Sequence, residues 1–230
     1  MSILIYPDAK TVGAASATLL AAHMLSDPCC VIGVDYHETL LPVYDSLSAM
    51  TENGLLNWGE AQIFQLFEFL PDESGEQRIA NLLGKSFFAK TDISEQQYSV
   101  PFSTELTPEK TAETFERAML QKGGLDAALV AVRQDGSLLM NRSYQNKTET
   151  HVETVDGDSF ITAGLSALMQ AKHPIVVAIG DNAAPAVRTM LSGSLADSPL
   201  AALRLHPNVT FIMDEAASKL LSSDDGIELR

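Results

Sequence analysis

Apolar residues recur along this chain in two alternating rhythms. After a short apolar start, ILIY, the stretch Thr11–Met24 places Val12, Ala15, Leu19 and Ala22 at helical spacing, which predicts a helix with one face turned inward. Cys29–Val34 is short and apolar, with no polar alternation, as a strand buried on both faces would be. Helical spacing returns over Leu41–Met50, Ala61–Phe69 (AQIFQLFEF) reads as extended, and Gln77–Lys90 reads as helical. Pro108–Gln121 is a further helix, with Thr107 as its N-cap and a proline at its first position. Beyond it the pattern predicts a strand at Ala127–Val132, a helix at Ile161–Ala171, a strand at Ile175–Ile179, a helix at Ala184–Leu191 and a last strand at Val209–Met213.

Strands that are apolar on both sides and alternate with helices predict an α/β fold: a doubly wound, mostly parallel sheet with helices on both faces, Rossmann-like in plan. In such sheets ligands bind beyond the carboxyl ends of the strands. The loops to watch are therefore Asp35–Leu40 (DYHETL), Phe67–Ser74 (FEFLPDES), Arg133–Ser137 (RQDGS) and Gly180–Ala184 (GDNAA).

Composition narrows the picture. The 230 residues, 46% of them apolar, suffice for one large core, and residues 1–230 are expected to form a single domain. A net charge of −15 weighs against nucleic acid and anionic membranes as partners. No apolar run approaches the ~20 residues of a membrane span, and MSILIYPDAK lacks the basic head and cleavage site of a secretory signal. A cytoplasmic protein is expected. The adjacent Cys29 and Cys30 alternate in direction along a predicted strand, which suggests two small buried hydrophobes and not a disulfide or metal pair.

The order of the loops carries a likeness. LAALRLHPNVTFIMDEAA (Leu200–Ala217), ENGLLNWGEAQIFQLFEFLP (Glu52–Pro71) and GGLDAALVAVRQDGSLLMN (Gly123–Asn141) together resemble the glucosamine-6-phosphate deaminase/isomerase family, whose wider relatives include 6-phosphogluconolactonases. The likeness spans nearly the whole chain. It implies carbohydrate metabolism, a sugar or sugar phosphate as ligand, no cofactor and no metal, and a family that often forms homo-oligomers. It also implies isomerisation and deamination of an amino-sugar phosphate, in which a histidine opens the ring and a carboxylate moves a proton between two carbons.

Compared position by position, the chain departs from that pattern. The family's glycine-bearing phosphate loop is replaced by Asp35, Tyr36, His37, Glu38 and Thr39, and the proton-moving aspartate by Phe67, with Glu68 matching the glutamate that follows. In the family's GxGxDGH turn, Asp135 and Gly136 match while Ser137 takes the place of the histidine; Asn141 matches a later asparagine, Arg142 replaces a glutamate, and Ala183 stands where a lysine is expected. The resemblance thus implies altered or lost catalysis, or a non-catalytic sugar-binding or assembly protein, or a lactonase-like hydrolase.

Asp135 and His37 are the candidate catalytic residues. Asp35, Glu38, Thr39, Glu68, Gly136, Ser137, Asn141 and Arg142 are the candidate binding residues. Three of these readings have a plainer alternative: for Asp135 and Gly136 an Asp-Gly turn kept for its shape, for His37 a solvated loop histidine, and for Glu68 a cap on the helix expected near Ser74 or a side chain in solvent. His206, in the LHP turn, is expected to be architectural. Asp35, Glu38, Glu68 and Asp135, with no lysine among them, predict a cradle of inverted charge.

Overall fold

A computed structural model describes residues 1–70, 78–141, 148–195 and 198–221. Seven parallel strands make the central sheet: β1 (Ser2–Tyr6), β2 (Val31–Val34), β3 (Gln62–Gln65), β5 (Tyr98–Ser99), β6 (Ala127–Ala131), β9 (His173–Ala178) and β10 (Thr210–Asp214), in the order β1-β10-β9-β6-β2-β3-β5. The helices α1 (Ala9–Ser26), α2 (Leu41–Glu52), α3 (Ile79–Ser86), α4 (Pro108–Gln121), α5 (Leu165–Gln170), α6 (Ala184–Ser192), α7 (Pro199–Ala202) and α8 (Glu215–Ser218) connect and flank them. Strands β2 and β6 are buried at every residue, as apolar runs covered on both faces must be. Thr107 caps α4 by accepting from the N–H of Lys110, and Pro108 opens the helix.

Strand order fixes where a ligand can sit. From β2 the chain builds outward through β3 to β5, and from β6 it builds the other way through β9 to β10. The direction reverses between β2 and β6, so the loops after these two strands part and leave a crevice.

A second sheet, antiparallel, has the order β4-β8-β7, from β4 (Phe67–Phe69), β8 (Asp158–Thr162) and β7 (His151–Val155). It corrects two expectations. Ala61–Phe69 is not one extended run: it is interrupted at Leu66, between the end of β3 at Gln65 and the start of the other sheet at Phe67. Ile161–Ala171 is not one helix: Ile161 and Thr162 pair with Val152, His151, Glu68 and Phe67, and the helix begins only at Leu165. The break is at Gly164, where an added Cβ would lie 2.1 Å from the carbonyl oxygen of Thr148. Only glycine allows that backbone approach.

Two smaller corrections follow. Of Gln77–Lys90, Gln77 lies outside the described residues, the helix covers Ile79–Ser86, and a tight turn at Phe88–Lys90 ends it. Cys30 is buried, but Cys29 is exposed and donates its thiol to Glu60 at 3.3 Å, because the strand starts only at Val31. The apolar start ILIY is an edge strand, β1, paired in register with β10. His206 is 4% exposed; its Nε2 bonds to the Ala171 carbonyl at 2.8 Å and its Nδ1 accepts from the N–H of Asn208, an architectural position. Among the described residues no helix is long and apolar enough to cross a membrane.

Candidate functional site

The crevice between β2 and β6 holds a cleft of about 450 Å³, lined by His37 from the loop after β2, by Arg133, Gln134, Asp135 and Ser137 from the loop after β6, and by Leu139, Met140 and Val155. A second lobe of about 360 Å³ shares His37 and Gln134 and extends over Glu38 and Thr39 to the loop Gly180–Ala183. The fold therefore brings together His37, Glu38, Thr39, Asp135 and Ser137, five of the candidate residues. Gly136 shapes the same turn: its φ is +75°, and its N–H donates to the Arg133 carbonyl at 2.9 Å.

Asp35 lies beneath the cleft, not on it. Its side chain is fully buried and accepts from the N–H of Ala131 at 3.0 Å, from Arg133 Nη1 at 3.1 Å and from Arg133 Nη2 at 2.9 Å. Two parallel N–H donors on one carboxylate make a charge-assisted pair with defined geometry. It ties the end of β2 to the end of β6 across the switch point. Tyr44 donates to the Asp35 carbonyl from below, and the guanidinium of Arg133 lies 5.4 Å from the centre of the Phe67 ring. The expectation of a cradle with uncompensated carboxylates is corrected here for Asp35, since Arg133 neutralises it.

Glu68 also departs from the cradle. It is fully buried and accepts from the backbone N–H groups of Phe69 (2.9 Å), Ile79 (2.9 Å) and Ala80 (3.0 Å) and from Gln65 Nε2 (3.1 Å), with Arg78 Nε at 3.8 Å. Two of these donors open α3, so Glu68 caps a helix, which satisfies orphaned N–H groups and sets an anion at the positive end of the helix dipole. The capping alternative is the observed one, although the helix it caps starts at Ile79; Ser74 lies outside the described residues.

Asn141 is buried and donates to the carbonyls of Leu138 (3.1 Å) and Ala163 (2.9 Å), so it joins the loop to the end of β8 instead of facing the cleft. Arg142 lies outside the described residues. Asp135 Oδ1 accepts from both the N–H (3.0 Å) and the hydroxyl (2.6 Å) of Ser137, which is 5% exposed. Phe67 is buried and packs against Phe160 with ring centres 6.4 Å apart.

His37 caps the short turn Glu38–Leu40. Its Nδ1 accepts from the N–H of Thr39 at 3.3 Å and lies 2.9 Å from the Thr39 hydroxyl. Burial pulls its pKa below the usual imidazole value, and the Arg133 charge pulls it the same way; Asp35 and Glu38 oppose both. The balance favours the uncharged ring. Across the second lobe, Gly180 takes a φ of +84° and donates its N–H to Asp214 at 3.0 Å. Among the described residues no three His, Cys, Asp or Glu side chains are grouped to hold a metal ion.

Arg133 and Gln134 line the cleft, yet sequence reasoning gave them no role. The available signal was an arginine just past the end of one buried strand and an aspartate just past the end of another. It became readable only once β2 and β6 were neighbours.

No family model matches the chain. It is 29% identical to a glucosamine-6-phosphate deaminase of Streptomyces coelicolor over 98% of its own length and 94% of that protein, and 28% identical to one of Mycolicibacterium smegmatis with the same coverage. The chain is a homologue of the glucosamine-6-phosphate deaminases. Its fold is shared with a solved monomeric glucosamine-6-phosphate deaminase (TM-score 0.91, 20% identity, 96% of this chain and 100% of that one). It is shared too with a 6-phosphogluconolactonase from Trypanosoma brucei (TM-score 0.79, 16% identity, 96% of this chain and 98% of that one). The similarity to these deaminases extends along nearly the whole chain, so it covers every loop of the cleft.

Proposed function

We propose that this chain is a sugar-binding protein of carbohydrate metabolism that keeps the deaminase fold and has lost the ring-opening deamination of its relatives. One observation carries the reading. At the switch point, where those enzymes are expected to need open glycines and a reactive imidazole, this chain has a buried Asp35–Arg133 pair and a serine bonded to Asp135.

The chemistry argues the same way. Proton transfer between two carbons needs a base within reach of the substrate. Phe67, at the position assigned to that base by resemblance, has no group that takes a proton and is packed under Phe160. Glu68 is bound on several sides by N–H donors and is out of the cleft. What borders the cleft instead is a set of hydrogen-bonding groups, His37, Gln134, Asp135 and Ser137, facing the apolar Met140 and Val155. Polar groups converging beside an apolar wall suit a sugar ring, which has hydroxyls on its rim and C–H groups on its faces.

The test is a thermal-shift panel of glucosamine-6-phosphate, galactosamine-6-phosphate, 6-phosphogluconolactone and their unphosphorylated counterparts. Stabilisation by one or more of these sugars without turnover supports the reading. Turnover of an amino-sugar phosphate contradicts it.

A further inference from the structure

Two side chains on the cleft carry hydrogen-bond donors for which the described residues supply no acceptor, and each is oriented by a bond to a neighbouring group. The backbone N–H of Thr39 donates to His37 Nδ1, so in the neutral ring the proton is on Nε2, and that atom is a donor. The Thr39 hydroxyl, 2.9 Å from the same Nδ1, fits this tautomer as a second donor to it. Arg133 uses Nη1 and Nη2 on Asp35. A guanidinium has five N–H donors, so three remain, Nε–H among them. Among the described residues none of the three has an acceptor. The Nε edge and the neighbouring Nη form a second fork of parallel donors, whose spacing matches the two oxygens of a carboxylate.

Both residues border the same lobe, and the Arg133 charge is close enough to act on the His37 ring. We propose that His37 Nε2–H and the free edge of Arg133 together bind a carboxylate, so that the ligand of this cleft is a sugar acid. The inference deepens the sugar-binding reading above and rests on it. Charge separates a carboxylate from a phosphate. Asp35, buried directly beneath, already offsets the Arg133 charge, so the pair offers a dianion no net positive charge, whereas a planar monoanion matches the free fork of donors. The role of His37 also changes: with its proton on Nε2 it donates to the ligand, and it is not the base that moves a proton.

The test is calorimetric titration of the full chain with D-gluconate, D-glucose and inorganic phosphate. The informative variant is His37→Asn, whose side-chain oxygen keeps the cap on Thr39 while the Nε2 donor is removed. Gluconate is expected to bind about tenfold or more tighter than glucose, and His37→Asn to lose about that factor for gluconate alone, the scale of one charge-assisted hydrogen bond. The double variant Asp35→Asn/Arg133→Gln keeps a neutral hydrogen-bonded pair and is expected to abolish the preference for gluconate. Equal binding of gluconate and glucose, or gluconate binding that His37→Asn leaves unchanged, overturns the carboxylate site and leaves the sugar-binding reading standing. Phosphate binding with no gluconate binding overturns the choice of carboxylate. Failure of every sugar to bind overturns both.

Discussion

At the carboxyl end of β2, Asp35 reaches across to the N–H of Ala131 on β6 at 3.0 Å; at the other end of the same strand pair, Asp126 reaches back to the N–H of Val31 on β2 at 2.7 Å. Each aspartate also holds a cation, Arg133 for the first and Lys172, at 2.5 Å, for the second. The arrangements match, but their surroundings do not. Arg133 is 12% exposed and Asp35 fully buried, whereas Lys172 is 65% exposed and Asp126 20%. The carboxyl-end clasp is a desolvated pair whose members depend on each other, and the amino-end clasp is a solvent-screened one. Both fix the register of β2 against β6. Only the first borders a cleft.

The largest effect is expected from breaking the buried clasp. Arg133→Leu leaves Asp35 charged and dry, and should cost about 3–5 kcal/mol of unfolding free energy in a denaturant titration, the usual scale for stranding one partner of a buried pair. The neutral double variant Asp35→Asn/Arg133→Gln should recover most of that loss, because the hydrogen bonds across the strands survive without the charges. If both variants unfold at the same denaturant concentration, the clasp does not act as a pair.

The amino end is expected to respond to pH. His23 stacks on His173 with ring centres 4.0 Å apart. Burial lowers the His23 pKa below its ordinary value of 6.5, the His173 charge lowers it further, and Asp126 opposes both. Burial lowers the His37 and His206 values too. A base whose folded pKa is depressed takes up its proton more readily in the unfolded chain, so stability rises with pH through this window. The contribution is complete above about 6.5 and is lost as pH falls toward the lowered folded values. Melting temperature should therefore drop between pH 7.5 and 5.5, and His23→Asn should flatten part of the drop. A slope that His23→Asn leaves unaltered assigns the effect to the other histidines.

The smallest effect is expected at Lys172. Truncation to alanine removes a solvent-screened cation from Asp126, which keeps its bond from Val31, and should leave the melting temperature unchanged within error. For Asp126, burial pushes the pKa up, but the bonds from Lys172 and Val31 and the nearby charges outweigh it and hold the value low. Its response to acid therefore falls below the histidine window, which separates Asp126 from the histidines in one pH series.

Much of the central sheet could be read from sequence because burial on both faces leaves a plain mark: β2, β6, β9 and β10 are short apolar runs between helical stretches. The helix at Pro108–Gln121 was legible to the residue, since its cap and its proline are local chemistry. The small antiparallel sheet was not. Its strand Asp158–Thr162 becomes buried only at Phe160 and runs on through Ala163 into the apolar face of α5, so the two periods merge.

Within the candidate site, Asp135, Gly136 and Ser137 stand out in sequence because they form one local turn. Glu68 and Asp35 are also charged and near strand ends, but their partners are far along the chain: Ile79 lies 11 residues from Glu68, and Arg133 lies 98 from Asp35. Sequence pattern marks a carboxylate at a strand end; only the assembled sheet tells whether it faces a ligand or another part of the protein.

The central claim is that the cleft no longer supports ring-opening deamination, and the direct test is ammonia release from glucosamine-6-phosphate by the purified protein. The predicted result is release at the rate of the protein-free control, unchanged by Asp135→Ala. Ammonia released well above that control, and abolished by Asp135→Ala, would contradict the claim.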